Sequence, residues 1–223
     1  MGFGCGCGVW VSCCYATPPP HDPNPYHLAI YHHPIHQPIT LPPHQLGQLS
    51  QMGYRFQLDS NLLSSAIPTQ LGQLVQMSGN FDLSGNSLSL AVPTQLGKLD
   101  QMTTGFQLES NSLLSTIPTE LGKLVQMTSD FFLHSNLLSS AIPTQLGQLS
   151  QMSSHFWLES NSLSSTIPTQ LGQLDQMSSY FWLHSNSLSS TIPTQVLRVR
   201  ACVCGGVQGA GVQGAGCGVH VWL

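Results

Sequence analysis

Apolar and polar positions recur along the middle of the chain with a fixed step. Pro68, Pro93, Pro118, Pro143, Pro168 and Pro193 stand 25 residues apart, and residues 46–195 divide into six copies of one unit. Self-similarity at a period of this length is the mark of a stacked repeat architecture. Each unit reads approximately LGxLxQMxxxFxLxSNxLSSxIPTQ. In the last copy the apolar slots are Leu171, Leu174, Met177, Phe181, Leu183, Leu188 and Ile192. Seven buried side chains contribute about 1.5–3 kcal/mol each at most. Ordering a unit of this length costs roughly 1.5 kcal/mol per residue. A single unit therefore cannot fold alone, and its neighbours must complete its core.

Within the unit, F-x-L alternates with period two and predicts a short strand whose Phe and Leu point into the core. The L-G-x-L-x-Q-M stretch has helix-like apolar spacing but is too short for a stable helix, so it predicts a turn or short helical piece on the opposite side. Copies of F-x-L about 4.8 Å apart would build a parallel sheet. Asn61, Asn86, Asn111, Asn136, Asn161 and Asn186 occupy the turn leaving each strand, where a carboxamide can satisfy backbone groups that a regular ladder leaves over. The Ile-Pro or Val-Pro step behind them favours an extended backbone. The expected architecture is a curved solenoid with strands on the concave face and turns or short helical pieces on the convex face.

The motif LGxL…FxLxSNxLSSxIPTQLG resembles the plant-type leucine-rich repeat, LxxLxxLxLxxNxLSGxIPxxLGx, of receptor-kinase ectodomains and polygalacturonase-inhibitor proteins. Three departures stand out. The period is one residue longer, with the addition between the Met and Phe slots. Met52, Met77, Met102, Met127, Met152 and Met177 replace a Leu column. The Gly of LSG is Ser65, Ser115, Ser140, Ser165 and Ser190, with Leu90 in the remaining copy. The resemblance implies a right-handed leucine-rich repeat superhelix that binds a protein, peptide or glycan on its concave face, and an extracellular or cell-surface setting.

Three columns differ most between copies. Arg55, Asn80, Gly105, Asp130, His155 and Tyr180 precede Phe; Gln57, Asp82, Gln107, Phe132, Trp157 and Trp182 stand between Phe and Leu; Asp59, Ser84, Glu109, His134, Glu159 and His184 follow Leu. Strand alternation directs all three away from the core. Phe132, Trp157 and Trp182 are expected to form an exposed aromatic row flanked by His134, Glu159 and His184, with Asp130, His155 and Tyr180 beside it. Such a row suits an extended peptide or a sugar chain, although tandem duplication alone also explains matching Trp residues. No nucleophile accompanies the histidines and carboxylates, so a non-enzymatic module without cofactor or metal is expected.

Composition narrows the partner class. Charged residues make up 6% of the chain and the formal net charge is -4, against about 25% charged residues in ordinary soluble chains. The fixed cations Arg55, Lys98, Lys123, Arg198 and Arg200 form no stripe, which argues against nucleic acid. No apolar run is long enough to span a bilayer. Without a kinase segment, signalling would require a separate partner. The uncharged Ser and Thr columns, including Thr69, Thr94, Thr119, Thr144, Thr169 and Thr194, leave a second reading open: a structural solenoid, or one that associates with an ordered lattice such as ice.

The ends lack the period. Residues 1–45 are rich in Pro and His, and are expected to be disordered apart from some cover for the first repeat by Leu28, Ile30 and Tyr31. All seven cysteines lie in the terminal segments, in a pattern that matches neither paired zinc knuckles nor an even disulfide framework. Gly2, Cys5 and Cys7 fall short of a dual-lipidation signature because Gly6 stands where Ser or Thr is required. After Gln195 the register is expected to persist through Val196, Val199 and Cys202, in the Leu, Leu and Met slots. Residues 196–223 are thus expected to comprise a degenerate repeat remnant followed by a Gly/Val/Cys-biased low-complexity tail. Asn-x-Ser/Thr acceptors are absent.

Overall fold

The computed structural model describes residues 27–29, 50, 52–189, 191–198 and 202–204; the expectations for both distal tails, for Ile30 and Tyr31 and for Val199 lie outside the described residues. Two parallel ladders run the length of the array. The front ladder contains the F-x strands Arg55–Gln57, Phe81–Asp82, Phe106–Gln107, Phe131–Phe132, Phe156–Trp157 and Tyr180–Trp182. Each Phe stands in register with the Phe of the next unit. Phe and Leu of every F-x-L are buried, as alternation requires, and Phe56, Phe81, Phe106, Phe131, Phe156 and Phe181 stack at centroid separations of 5.1–5.9 Å.

The Ile-Pro step delivers the chain into a short 3-10 turn in each copy, from Thr69–Gln73 to Thr169–Gln173. Proline fixes an extended entry, with φ near -64° and ψ near 130° at Pro68, Pro93, Pro118, Pro143 and Pro168. The two leucines of L-G-x-L are fully buried. The glycine between them explains itself sterically. A Cβ on Gly97 would lie 2.3 Å from the backbone oxygen of Glu120, and one on Gly122 2.4 Å from that of Gln145. Adjacent 3-10 turns thus touch backbone to backbone.

Two polar ladders join the units. Each internal Asn donates its Nδ2 hydrogens to carbonyls within its own turn and to the Leu carbonyl of the preceding unit, while its Oδ1 accepts a backbone N–H from that unit. Asn136 binds Leu133 O, His134 O, Leu108 O and Leu113 N at 3.0–3.2 Å. The second ladder lies where the period gains its additional residue. Ser78, Thr103, Thr128, Ser153 and Ser178 each donate both the backbone N–H and the side-chain hydroxyl to the carbonyl 25 residues earlier, the hydroxyl bonds spanning 2.7–3.0 Å. The longer unit is held by these paired donors.

Sequence reasoning expects only an extended return arm behind the Asn column; the arms of neighbouring units pair there as a second ladder. Ser64–Ala66, Ser87–Leu90, Ser112–Ser115, Leu137–Ser140, Ser162–Thr166 and Ser187–Ser189 pair as parallel strands. The residue at the LSG glycine slot takes the left-handed conformation, with φ of 66–77° at Ser65, Leu90, Ser115, Ser140 and Ser165. Serine tolerates there what glycine would adopt without strain.

The front ladder also extends past the six units. His27–Ala29 pairs with Arg55–Gln57, placing Leu28 beside Phe56, and Cys202–Cys204 pairs with Tyr180–Trp182. The last pairing corrects the register expected after Gln195. Val196 is buried in its Leu slot, but Cys202 faces Tyr180 and Val203 faces Phe181, so the final turn is three residues shorter than a full unit and Cys202 is not in a Met slot.

Candidate functional site

The variable columns meet on the outer side of the front ladder. Phe131–Phe132, Phe156–Trp157 and Tyr180–Trp182 pair with Phe132, Trp157 and Trp182 in direct register. Because their neighbours Phe131, Phe156 and Phe181 are committed to the core, these three rings project from the opposite side. Phe132 and Trp157 stack at 4.4 Å with planes 17° apart, and Trp157 and Trp182 at 4.4 Å and 9°. The same strand pairs hold their core phenylalanines at 5.3 and 5.1 Å. Rings converge on the outer side and diverge on the inner side, so the sheet curls toward the aromatic row. That row lies on the concave face.

His155 anchors the column before Phe. Its Nδ1 lies 2.7 Å from Asp130 Oδ1, and its ring stacks on Tyr180 at 5.6 Å and 12° while leaning on Trp157 at 5.4 Å. Asp130 reaches it from a left-handed backbone, φ 55°. This position is left-handed in only some copies, unlike the serine columns. On the other flank His134 packs its edge against Trp157, and His184 tilts against Trp182. All nine residues singled out from the sequence are therefore gathered on one surface over three adjacent strands.

Two features differ from expectation. Phe132, Trp157 and Trp182 are half-buried instead of freely exposed, because rings stacked this closely cover one another's faces. Glu159 is only 6% exposed. Burial pushes its carboxyl up to about 7 and pushes the His134 imidazole below its ordinary value. The two groups approach to 3.6 Å, yet each shifts toward its neutral form, so desolvation outweighs their attraction. Among the described residues, Trp157 Nε1, Trp182 Nε1 and Glu159 Oε2 are buried without a hydrogen-bond partner.

Sequence reasoning missed the acidic half of the same face. Burial raises the Asp82 carboxyl, opposed by hydrogen bonds from the Ser84 hydroxyl and backbone N–H, and raises Glu109 to about 7, with Asp82 and Asp59 adding repulsion. The signal was present as three carboxylates in adjacent strand-facing columns, accompanied by Arg55 alone. The concave face thus passes from acidic to aromatic along the array. A recess lined by Thr169, Gln170, Gly172, Gln173 and Gln195 belongs to the 3-10 side and contains no ionisable group. Among the described residues no group of three or more His, Cys, Asp or Glu side chains is placed to hold a metal ion, and no helix is long and apolar enough to cross a membrane.

No family model matches the chain, and no curated protein matches it. Solved structures do. The leucine-rich repeat ectodomain of the plant membrane receptor kinase GASSHO1/SCHENGEN3 from Arabidopsis thaliana, in complex with CASPARIAN STRIP INTEGRITY FACTOR 2, superposes with a TM-score of 0.70 at 28% identity, covering 81% of this chain and 21% of that one. The Arabidopsis receptor kinase HAESA, in complex with the peptide hormone IDA and the co-receptor SERK1, gives 0.60 at 26% identity over 68% of this chain and 25% of its own. A plant ice-binding protein gives 0.58 at 25% identity, covering 68% of this chain and 47% of that one. The chain is a leucine-rich repeat solenoid of the kind found in plant receptor-kinase ectodomains. It spans about a fifth to a quarter of the length of the two receptor structures.

Proposed function

We propose that the chain is a non-catalytic recognition module that binds an extended peptide, protein segment or glycan on its concave face, in an extracellular setting and with any signal passed on by a separate partner. The stacked row Phe132–Trp157–Trp182, bordered by His134, Glu159, His184, Asp130, His155 and Tyr180, is the observation that carries this reading. Large aromatic rings in partly desolvated positions are the groups that dominate recognition surfaces. The solved neighbours in complex with a peptide hormone or an integrity factor support the same class of role. His155 is engaged by Asp130 and by the rings of Phe132, Trp157 and Tyr180, an arrangement that supports a positioned recognition surface.

Six strands about 4.8 Å apart span about 24 Å, the length of an extended peptide of about seven residues. A displayed library of random octapeptides and a glycan array, each probed with the full chain, test the reading. Enrichment on the native chain that disappears with Trp157→Ala/Trp182→Ala, at an unchanged melting temperature, is the expected result. Equal enrichment on both chains, or none on either, would remove the aromatic row as a recognition site. A second reading, association with ice, is supported by the uncharged Ser/Thr columns and by the likeness to the plant ice-binding protein.

A further inference from the structure

Charge is distributed unevenly around the solenoid. The concave face carries Arg55, Asp59, Asp82, Glu109, Asp130 and Glu159, and the 3-10 side carries Lys98, Asp100, Glu120, Lys123 and Asp175. The outer side of the second ladder carries no charge. Its three columns begin at Leu62, Ser64 and Ala66 and recur every 25 residues, giving eighteen positions: nine Ser, three Thr, three Ala and three Leu. Fifteen are exposed, three are half-buried and none is buried. No amide, aromatic or ionisable side chain interrupts them.

Resting on the second reading above, we propose that this outer side is the face that lies against ice. Successive rows are fixed by backbone pairing, with Ser64 beside Ser87, Ser89 beside Ser112 and Ser164 beside Ser187. Ser139 stands beside Ser162 in the same way, and Leu114 beside Leu137 is the exception, so four of the five strand junctions present two hydroxyls about 4.8 Å apart, a repeated spacing that suits a lattice and that a soluble ligand does not require. Small uncharged groups hold their hydration weakly and leave the surface flat, whereas a charged group would impose its own water structure. A polyelectrolyte has nothing to pair with here, and a sugar platform would use aromatic rings. A second copy of the chain is disfavoured because the large exposed apolar residues of this ladder are four leucines, Leu62, Leu90, Leu114 and Leu137, set among serines and threonines with no aromatic ring, which falls short of the apolar centre of a homodimer interface.

The sequence-derived Thr column at Thr69 is a poorer match. Thr69, Thr94, Thr144, Thr169 and Thr194 direct their hydroxyls at the following Gln Oε1 at 3.2–3.4 Å, and Thr119 directs its own at Glu120 Oε2. All six of those hydroxyls are engaged, against Ser139 and Ser189 on the outer side of the second ladder, which bond Ser115 O and Ser165 O. Lys98, Glu120 and Lys123 also stand in the same turns.

The test measures ice recrystallisation inhibition and ice-crystal shape with the full chain. Ser112→Glu/Ser162→Glu, at exposed positions with unaltered core contacts, should abolish both effects. Thr116→Glu/Thr166→Glu in the third column provides a second variant should the first fold poorly. Trp157→Ala/Trp182→Ala should retain both effects. A native chain that leaves ice unaffected overturns ice association altogether. Activity that survives both Glu pairs but is lost in Thr119→Glu/Thr144→Glu overturns only the assignment of the face.

Discussion

Asn136→Ala isolates the contribution of one rung of the amide ladder. Asn136 is 6% exposed, and its Oδ1 accepts the Leu113 N–H at 3.0 Å. Its three carbonyl acceptors each keep a second donor: Asn111 Nδ2 on Leu108 O, Asn161 Nδ2 on Leu133 O and the Ser110 N–H on His134 O. The alanine variant therefore orphans one buried donor, at about 1–3 kcal/mol, and removes three secondary bonds worth about 0.5 kcal/mol apiece. A loss of about 3–4 kcal/mol is expected, a large share of the roughly 5–15 kcal/mol that holds an ordinary domain. Urea unfolding of the full chain followed by far-ultraviolet circular dichroism measures it. Asn136→Asp adds a sign test: its carboxylate would face three carbonyls at pH 7, whereas a protonated carboxyl can donate, so its deficit should shrink toward pH 4. A loss below about 1 kcal/mol for the alanine variant would refute the structural role of the column.

Two further outcomes follow from the same geometry. Ser115 is exposed and left-handed at φ 77°; Ser115→Gly relieves roughly 1–2 kcal/mol of conformational strain against about 0.5–1 kcal/mol of added chain entropy, so a small gain in thermal stability is expected by calorimetry. Glu159 rises from 4.5 to about 7 on folding, so the folded chain binds the extra proton and its stability falls as pH rises through that window. Each unit corresponds to roughly 1.4 kcal/mol, and Glu159→Gln should remove up to about 3 kcal/mol of this pH dependence, as read from unfolding midpoints at pH 4.5 and 8.

The repeated apolar slots were legible because each copy states the same pattern. Phe56 through Phe181 and the Asn column needed only alternation and an accounting of backbone partners. The Ser78–Ser178 hydroxyl ladder was not legible, since Ser and Thr in a loop read as solvated whether or not they bond a carbonyl 25 residues away. The second ladder was hidden because S-L-S-S carries turn-forming residues and a left-handed step at Ser65, and pairing with neighbours overrides that local preference. Cys202 was misplaced because the closing turn abandons the period, the one property that extrapolation relied on. For the concave face, alternation gives direction but not depth. It put Trp157 and Glu159 on the right side without revealing how far stacking at 4.4 Å would bury them.

That burial separates packing from recognition as the reason for the two indoles. Trp157 Nε1 and Trp182 Nε1 find no partner among the described residues, and an unsatisfied buried N–H costs about 1–3 kcal/mol. Phe132 occupies the same column and stacks on Trp157 at 4.4 Å, so a phenyl ring fits the row. Trp→Phe deletes the unpaired donor and some apolar area worth about 1 kcal/mol. Trp157→Phe and Trp182→Phe should therefore leave stability unchanged or raise it by up to about 2 kcal/mol each. A loss of more than about 2 kcal/mol in urea unfolding would instead make the indoles ordinary packing groups. If stability holds while peptide or glycan enrichment is lost, the tryptophans are better explained by a ligand that contacts the indole rings than by their fit to the fold. Tandem duplication explains why Trp157 and Trp182 match each other, but it does not require either ring to serve a ligand; the paired stability and binding measurements decide between those accounts.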